Sequence, residues 1–85
     1  MANVIMYSKP SCPYCQMAAH LLHSKKIPYK VIDIRGSRLL RLEMESRSGR
    51  NTVPQIFIGD HHVGGYDDLS AADARGEIDS LLLAN

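Results

Sequence analysis

The sequence predicts an α/β fold in the order βαβαββα, a four-stranded mixed sheet flanked by three helices in one domain over residues 1–85. Three observations predict it. Val4–Tyr7 is a short apolar run, and apolar residues then recur at Tyr14, Met17, Ala18, Leu21 and Leu22, which is strand followed by amphipathic helix. Tyr29–Ile34 and the helical segment after Gly36 repeat the alternation, so the first half is a βαβ unit with parallel strands and a right-handed crossover. Gln55–Ile58 and His61–Val63 flank Gly59-Asp60, a two-residue turn signal that makes them an antiparallel hairpin.

The elements follow in chain order. The first strand ends at Ser8-Lys9-Pro10, a loop signal. Pro13 sits where the first residue of a helix tolerates proline. Lys25 and Lys26 suit that helix's negative C-terminal end, and Pro28 closes the segment. In the second strand Tyr29, Val31 and Asp33 are expected to face one way. Gly36-Ser37 supplies a break and an N-cap for a basic helix that carries Leu40 and Met44, runs to about Ser48 and stops at Gly49. Gly64-Gly65 ends the hairpin. A last helix starts near Asp67 or Asp68, with Ala71, Ala74, Ile78, Leu81 and Leu82 on one side and Gly76 inside it. That glycine costs about 1 kcal/mol relative to alanine.

Composition bounds the function. A formal net charge of +1 excludes a general electrostatic affinity for nucleic acid or a membrane surface. The charge is uneven: residues 25–50 hold eight basic and three acidic side chains, residues 67–79 five acidic and one basic. Two readings fit, solvated helix faces of opposite sign or a polar site bordered by one basic and one acidic element. MANVIMYSK lacks a basic leading region, and no run approaches the roughly 20 apolar residues of a membrane span. The expectation is a soluble, cytoplasmic, monomeric protein, in a compartment that keeps thiols reduced unless they are catalytic.

The chain holds two cysteines, both in Ser11-Cys12-Pro13-Tyr14-Cys15. As a structural staple the pair is poor, since so short a loop removes little chain entropy, on the order of 2 kcal/mol. As a metal clip it is incomplete. Zinc needs four ligands, and the histidines lie apart: His61 and His62 are adjacent, His20 and His23 fall on the polar side of the first helix, and all four read as solvent-facing. No metal is expected. As a chemical reagent the pair makes sense. Cys12 opens a helix, where unpaired N–H groups and the helix dipole favour a thiolate over a thiol. Lys9 adds positive potential three residues earlier. Cys15 lies one turn further in, within bonding reach of Cys12 and directed toward the packed side. One sulfur is then the exposed nucleophile and the other the shielded resolving thiol. A C-x-x-C beside a βαβ unit is read as a thioredoxin-like redox motif.

At this point the chain resembles the glutaredoxins, in particular the small bacterial dithiol class. Three blocks in order carry the resemblance over essentially the whole length: Cys12-Pro13-Tyr14-Cys15, Thr52-Val53-Pro54-Gln55-Ile56-Phe57-Ile58 and Gly64-Gly65-Tyr66-Asp67-Asp68-Leu69. A thioredoxin proper would carry Gly-Pro between the cysteines and a tryptophan beside them; this chain has Pro-Tyr and no tryptophan. The resemblance implies a thioredoxin-like fold and a glutathione-dependent thiol-disulfide oxidoreductase, with glutathione as co-substrate. Its partners would be glutathionylated or disulfide-containing proteins, with ribonucleotide reductase as one candidate.

The resemblance also implies a binding groove. A cis Val53–Pro54 bond would turn the backbone of Val53, beside Thr52, toward Cys12, where it pairs strand-like with the cysteine of glutathione. The γ-glutamyl end would lie at Gly65, Tyr66, Asp67 and Asp68, whose N–H groups open a helix and hold a carboxylate while an aspartate meets the ammonium. The glycine carboxylate would meet Lys9, the Tyr14 hydroxyl and Arg41, where relatives often place glutamine. Tyr66 stands where relatives often have cysteine or a small polar residue. Two other functions are weighed: an iron–sulfur carrier in which two molecules each supply Cys12 and glutathiones complete the ligands, and a redoxin recharged by thioredoxin reductase. Pro-Tyr after the first cysteine disfavours the former, and Asp67-Asp68 at a helix start disfavours the latter.

Overall fold

The four strands line up as β2-β1-β3-β4 in the computed structural model, which describes residues 2–84. β1 (Val4–Ser8) pairs in parallel with β2 (Lys30–Asp33) and antiparallel with β3 (Gln55–Ile58), and β3 pairs antiparallel with β4 (His61–Gly64). The expected βαβ unit and hairpin are both present. α1 (Pro13–Ser24) and α2 (Arg38–Ser48) are the two crossover helices. α2 begins as its sequence requires: the Ser37 hydroxyl accepts the Leu40 N–H at 3.2 Å, and the helix ends on Gly49.

Alternation along the strands divides the core into two layers. Val4, Met6, Ile56 and Ile58 point to one face and pack with Ala18 and Leu22 of α1 and with the C-terminal helices. Tyr7 and Phe57 point to the other and pack with Met44 of α2 and Ile34. Leu22 and Met44 are fully buried, each burial stabilising the fold by about 1.5–3 kcal/mol. The central strands β1 and β3 are thus covered on both sides. The loop after β1 leads to Cys12 and the first turn of α1, which holds Cys15, and the turn before β3 carries Val53–Pro54.

Three expectations need correction. The described residues form four helices, because the last segment is split into α3 (Tyr66–Ala74) and α4 (Glu77–Leu83). Gly76 adopts φ 72°, a left-handed conformation that closes one helix and starts the next. The break has a packing reason. A continuous helix extending the buried Leu69–Ala72 stripe would turn Gly76 and Asp79 inward, whereas the break brings in Ile78 and Leu82. Ala72 is accordingly buried, and Ala71 and Ala74 are exposed.

The buried stripe of α1 is Cys15, Ala18 and Leu22, rotated by one residue from the expected one; Tyr14 and Met17 are exposed at 57% and 44%. Helical spacing fits both stripes, and the burial of Cys15 selects this one. The second strand is shorter than Tyr29–Ile34, running from Lys30 to Asp33; within it Val31 and Asp33 share the outward face, as expected, and Ile32 is the more buried residue. As an edge strand, β2 has little core to face.

Candidate active site

Cys12 is the N-cap of α1, with extended backbone (φ −91°, ψ 114°) and Pro13 as the first helical residue. Its Sγ accepts the Cys15 N–H at 3.2 Å, so the sulfur occupies the place that a serine or aspartate oxygen takes in other caps. The positive end of the helix dipole and the unpaired N–H groups of the first turn lie beneath it. Sγ also lies 3.7 Å from the Val53 carbonyl oxygen, to which the protonated thiol donates. Cys12 is half-buried and Cys15 is only 3% exposed. Burial pushes the Cys15 thiol up, and the neighbouring Cys12 adds to this; the Ser8 hydroxyl and the Lys9 backbone pull weakly the other way. Both cysteines are free thiols. The site therefore has one accessible sulfur at a helix start and one enclosed, protonated sulfur a turn away.

The wall facing Cys12 is built by the Thr52–Gln55 turn. The Val53–Pro54 bond is cis. Gln55 is buried, donates from Nε2 to the Thr52 carbonyl at 3.0 Å and to the Thr52 hydroxyl at 3.3 Å, and accepts from His62 Nε2 at 2.7 Å. Gly64 and Gly65 border this turn. Gly64 has φ 121°, and a Cβ there would lie 2.6 Å from Asp68 Cγ, so a side chain would both strain the backbone and displace the carboxylate. A Cβ at Gly65 would stand 3.5 Å from the Pro54 carbonyl, in ordinary contact.

α3 opens on this border. The Asp68 carboxylate accepts the Gly65 N–H at 2.9 Å and Arg50 Nη1 at 2.8 Å. Gly65 has no side chain to cap the first turn in return. The Arg50 guanidinium, followed by the Gly65 N–H, holds the Asp68 carboxyl below the usual carboxylate range. Asp67 is exposed. The Tyr66 ring lies 6.4 Å from that of Tyr14, so these residues meet above the α1–α3 seam. Lys9 and Arg41 line one cavity of about 280 Å³ with Ile34, Gly36, Ser37 and two further arginines. Arg41 is not a free cation: it pairs with Glu45 at 3.1 Å and donates to the Asn51 carbonyl at 3.2 Å, at the foot of the Thr52 turn.

The structure thus brings Cys12, Cys15 and Val53 together, sets Thr52, Pro54, Gly65 and Asp68 around the adjoining turn, and places Lys9 with Arg41. It puts Tyr14 against Tyr66, in the α1–α3 region, rather than among the residues lining the Lys9 cavity. Sequence reasoning missed Ser8, Gln55 and Arg50. It also read His62 as solvent-facing, and this needs correction: His62 is half-buried, 4.9 Å from the Phe57 ring, and bonded to Gln55. Burial, then the charge of Arg50, lowers its pKa. Strand alternation contained the signal, since adjacent His61 and His62 cannot both face outward.

Comparison with known proteins decides the family. The glutaredoxin family model matches residues 4–63. This chain belongs to the glutaredoxin family. Among glutaredoxins it is 55% identical over 82 residues to glutaredoxin 3 of Escherichia coli (strain K12), covering 96% of this chain and 99% of that protein. The solution structure of glutaredoxin from Brucella melitensis superposes with TM-score 0.85 at 54% identity, covering 96% of this chain and 89% of that one. A crystal structure of a buckwheat glutaredoxin–glutathione complex matches with TM-score 0.86 at 25% identity, over 95% of this chain and 76% of that one. The fold is the thioredoxin-like fold of these glutaredoxins, and the activity is that of a thiol-disulfide oxidoreductase. Among the described residues no helix is long and apolar enough to cross a membrane.

The Asp68–Arg50 pair has a pH signature. Asp68's folded pKa is lowered, so its contribution to stability is complete above its unfolded value, near 4, and is lost as pH falls through the lowered folded value. Both side chains are nearly half exposed, so the contribution is modest, about 0.5–1 kcal/mol. Asp68→Asn should lower urea stability by that amount at pH 7, and the two proteins should converge toward pH 2.

Proposed function

We propose that this glutaredoxin is glutathione-dependent and reduces both protein–glutathione mixed disulfides and protein disulfides, with Cys12 as nucleophile and Cys15 as resolving thiol. The contrast between the two sulfurs carries the reading: Cys12 Sγ caps α1 in contact with Val53, and Cys15 is enclosed behind it. In the first reaction the Cys12 thiolate attacks the glutathione-side sulfur of a mixed disulfide. The substrate's S–S bond breaks, its thiolate leaves and takes a proton, and Cys12 is left joined to glutathione. A second glutathione thiolate attacks that glutathione sulfur, releasing glutathione disulfide and the Cys12 thiolate. With a protein disulfide, Cys12 forms a mixed disulfide to the substrate. Cys15 loses its proton and displaces the substrate, forming a Cys12–Cys15 disulfide that two glutathiones reduce. The Ser8 hydroxyl and Lys9 backbone beside Cys15 ease that deprotonation.

Glutathione carries two carboxylates and one ammonium, and the borders of the site match them. The Val53 backbone offers strand-like pairing to its central cysteine. The first turn of α3, uncapped by Gly65, receives the γ-glutamyl carboxylate, with the exposed Asp67 available for the ammonium. Lys9 offers positive charge to the glycine carboxylate from a cavity that no acidic residue lines, and Arg41 beside it, paired with Glu45, would have to exchange that partner to join the contact. The buckwheat relative, of the same fold, was crystallised with glutathione.

The test is recycling. With a glutathionylated peptide, glutathione and glutathione reductase, the protein should turn over steadily; with thioredoxin reductase in place of the glutathione system it should not. Turnover with thioredoxin reductase alone would overturn the reading.

A further inference from the structure

Gln55 is a polar side chain with 1% exposure at the start of β3, opposite Tyr7 in the sheet. An amide buried there is costly unless its atoms are paired, and an apolar residue of the same volume would pack at lower cost. A core position that breaks the local rule in this way points to a task. Gln55 Nε2 is committed to two acceptors on Thr52, the carbonyl at 3.0 Å and the hydroxyl at 3.3 Å. Its Oε1 is therefore the atom facing His62 at 2.7 Å, and His62 must carry a proton on Nε2. The imidazole is held on its face as well, 4.9 Å from Phe57, which itself carries the Arg47 guanidinium at 4.2 Å. A continuous path of hydrogen bonds thus runs from the edge strand β4, through the buried amide, to Thr52. The next residue, Val53, puts its carbonyl against Cys12 Sγ. Pro54 offers no N–H with which to brace this turn, so the Gln55 side chain supplies bonds that the backbone cannot.

We propose that His62 is a positioning residue: through Gln55 it fixes the Thr52–Val53–Pro54 turn in the orientation that presents the Val53 backbone to the glutathione part of a mixed disulfide. This rests on the glutathione reading above. His62 touches neither sulfur. It acts on binding of the glutathionyl group rather than on the attack by Cys12.

Steady-state kinetics on a glutathionylated peptide separate these roles. His62→Phe keeps an aromatic ring over Phe57 and removes the donor; His62→Gln restores an N–H near the position of Nε2. His62→Phe should raise KM about five- to tenfold, the worth of one buried hydrogen bond, with kcat changed by less than about twofold. His62→Gln should bring KM back to within about twofold of wild type. The proposal is overturned if His62→Phe leaves KM unchanged, if kcat falls while KM does not move, or if His62→Gln fails to rescue. Should circular dichroism show His62→Phe unfolded, Gln55→Met cuts the same path with similar volume and must give the same split between KM and kcat. Wild-type protein that reduces a peptide disulfide but not the glutathionylated peptide would sink the glutathione reading, and this inference with it. Normal wild-type turnover with an unaltered His62→Phe sinks the positioning role alone.

Discussion

Cys12→Ser should abolish turnover of mixed disulfides and protein disulfides alike, lowering kcat/KM by about 10³-fold or more, as loss of a covalent nucleophile does. Cys15 cannot substitute. It is 3% exposed, and its burial keeps it protonated. A serine oxygen at the cap would still accept the N–H that Cys12 Sγ accepts from Cys15, so α1 should keep its start. Loss of activity with an unchanged urea midpoint therefore separates chemistry from folding. Residual turnover within about tenfold of wild type would show that another group attacks.

The second large effect is a split rather than a loss. Cys15→Ser should keep mixed-disulfide turnover within about threefold of wild type, because that cycle needs one protein sulfur and two glutathiones. The same variant should reduce a protein disulfide about 10²-fold more slowly, since no internal thiol remains to expel the bound substrate. Mass spectrometry of the quenched reaction should find the substrate trapped on Cys12. The geometry explains the asymmetry. The Cys15 N–H is 3.2 Å from Cys12 Sγ, so the resolving residue is already one helical turn from the sulfur it must attack. If Cys15→Ser lost both reactions equally, the two cysteines would be acting as a unit and the roles assigned here would be wrong.

Much of this was legible because it depends on neighbours in the chain. Ser37 and Gly49 bound α2 through local capping, Gly59-Asp60 joins β3 to β4, and Pro13 after Cys12 marks the helix start that exposes one sulfur. What sequence reasoning lost depends on partners far apart. Arg50 reaches Asp68 across 18 positions, and no local signal announces that pairing. Helical periodicity alone could not say whether Tyr14 and Met17 or Cys15 joins Ala18 and Leu22 on the packed side, because both sets satisfy it; the burial of Cys15 to 3% exposure decides. Helix propensity alone makes Gly76 a defect inside one helix, whereas its left-handed backbone resets the phase so that Ile78 and Leu82 reach the core. His61 and His62 are neighbours on one strand, so alternation sends their side chains to opposite faces, and only His62 comes to lie against Phe57 and Gln55.

All of the chemistry descends from one difference in reactivity, created by placing one sulfur at the mouth of a helix and the other inside the fold. Brief alkylation of the fully reduced protein at neutral pH with less than one equivalent of iodoacetamide, followed by peptide mapping, measures that difference directly. The label should fall on Cys12, with Cys15 unmodified until the protein is denatured. Label on Cys15, or an equal division between the two, would contradict the account.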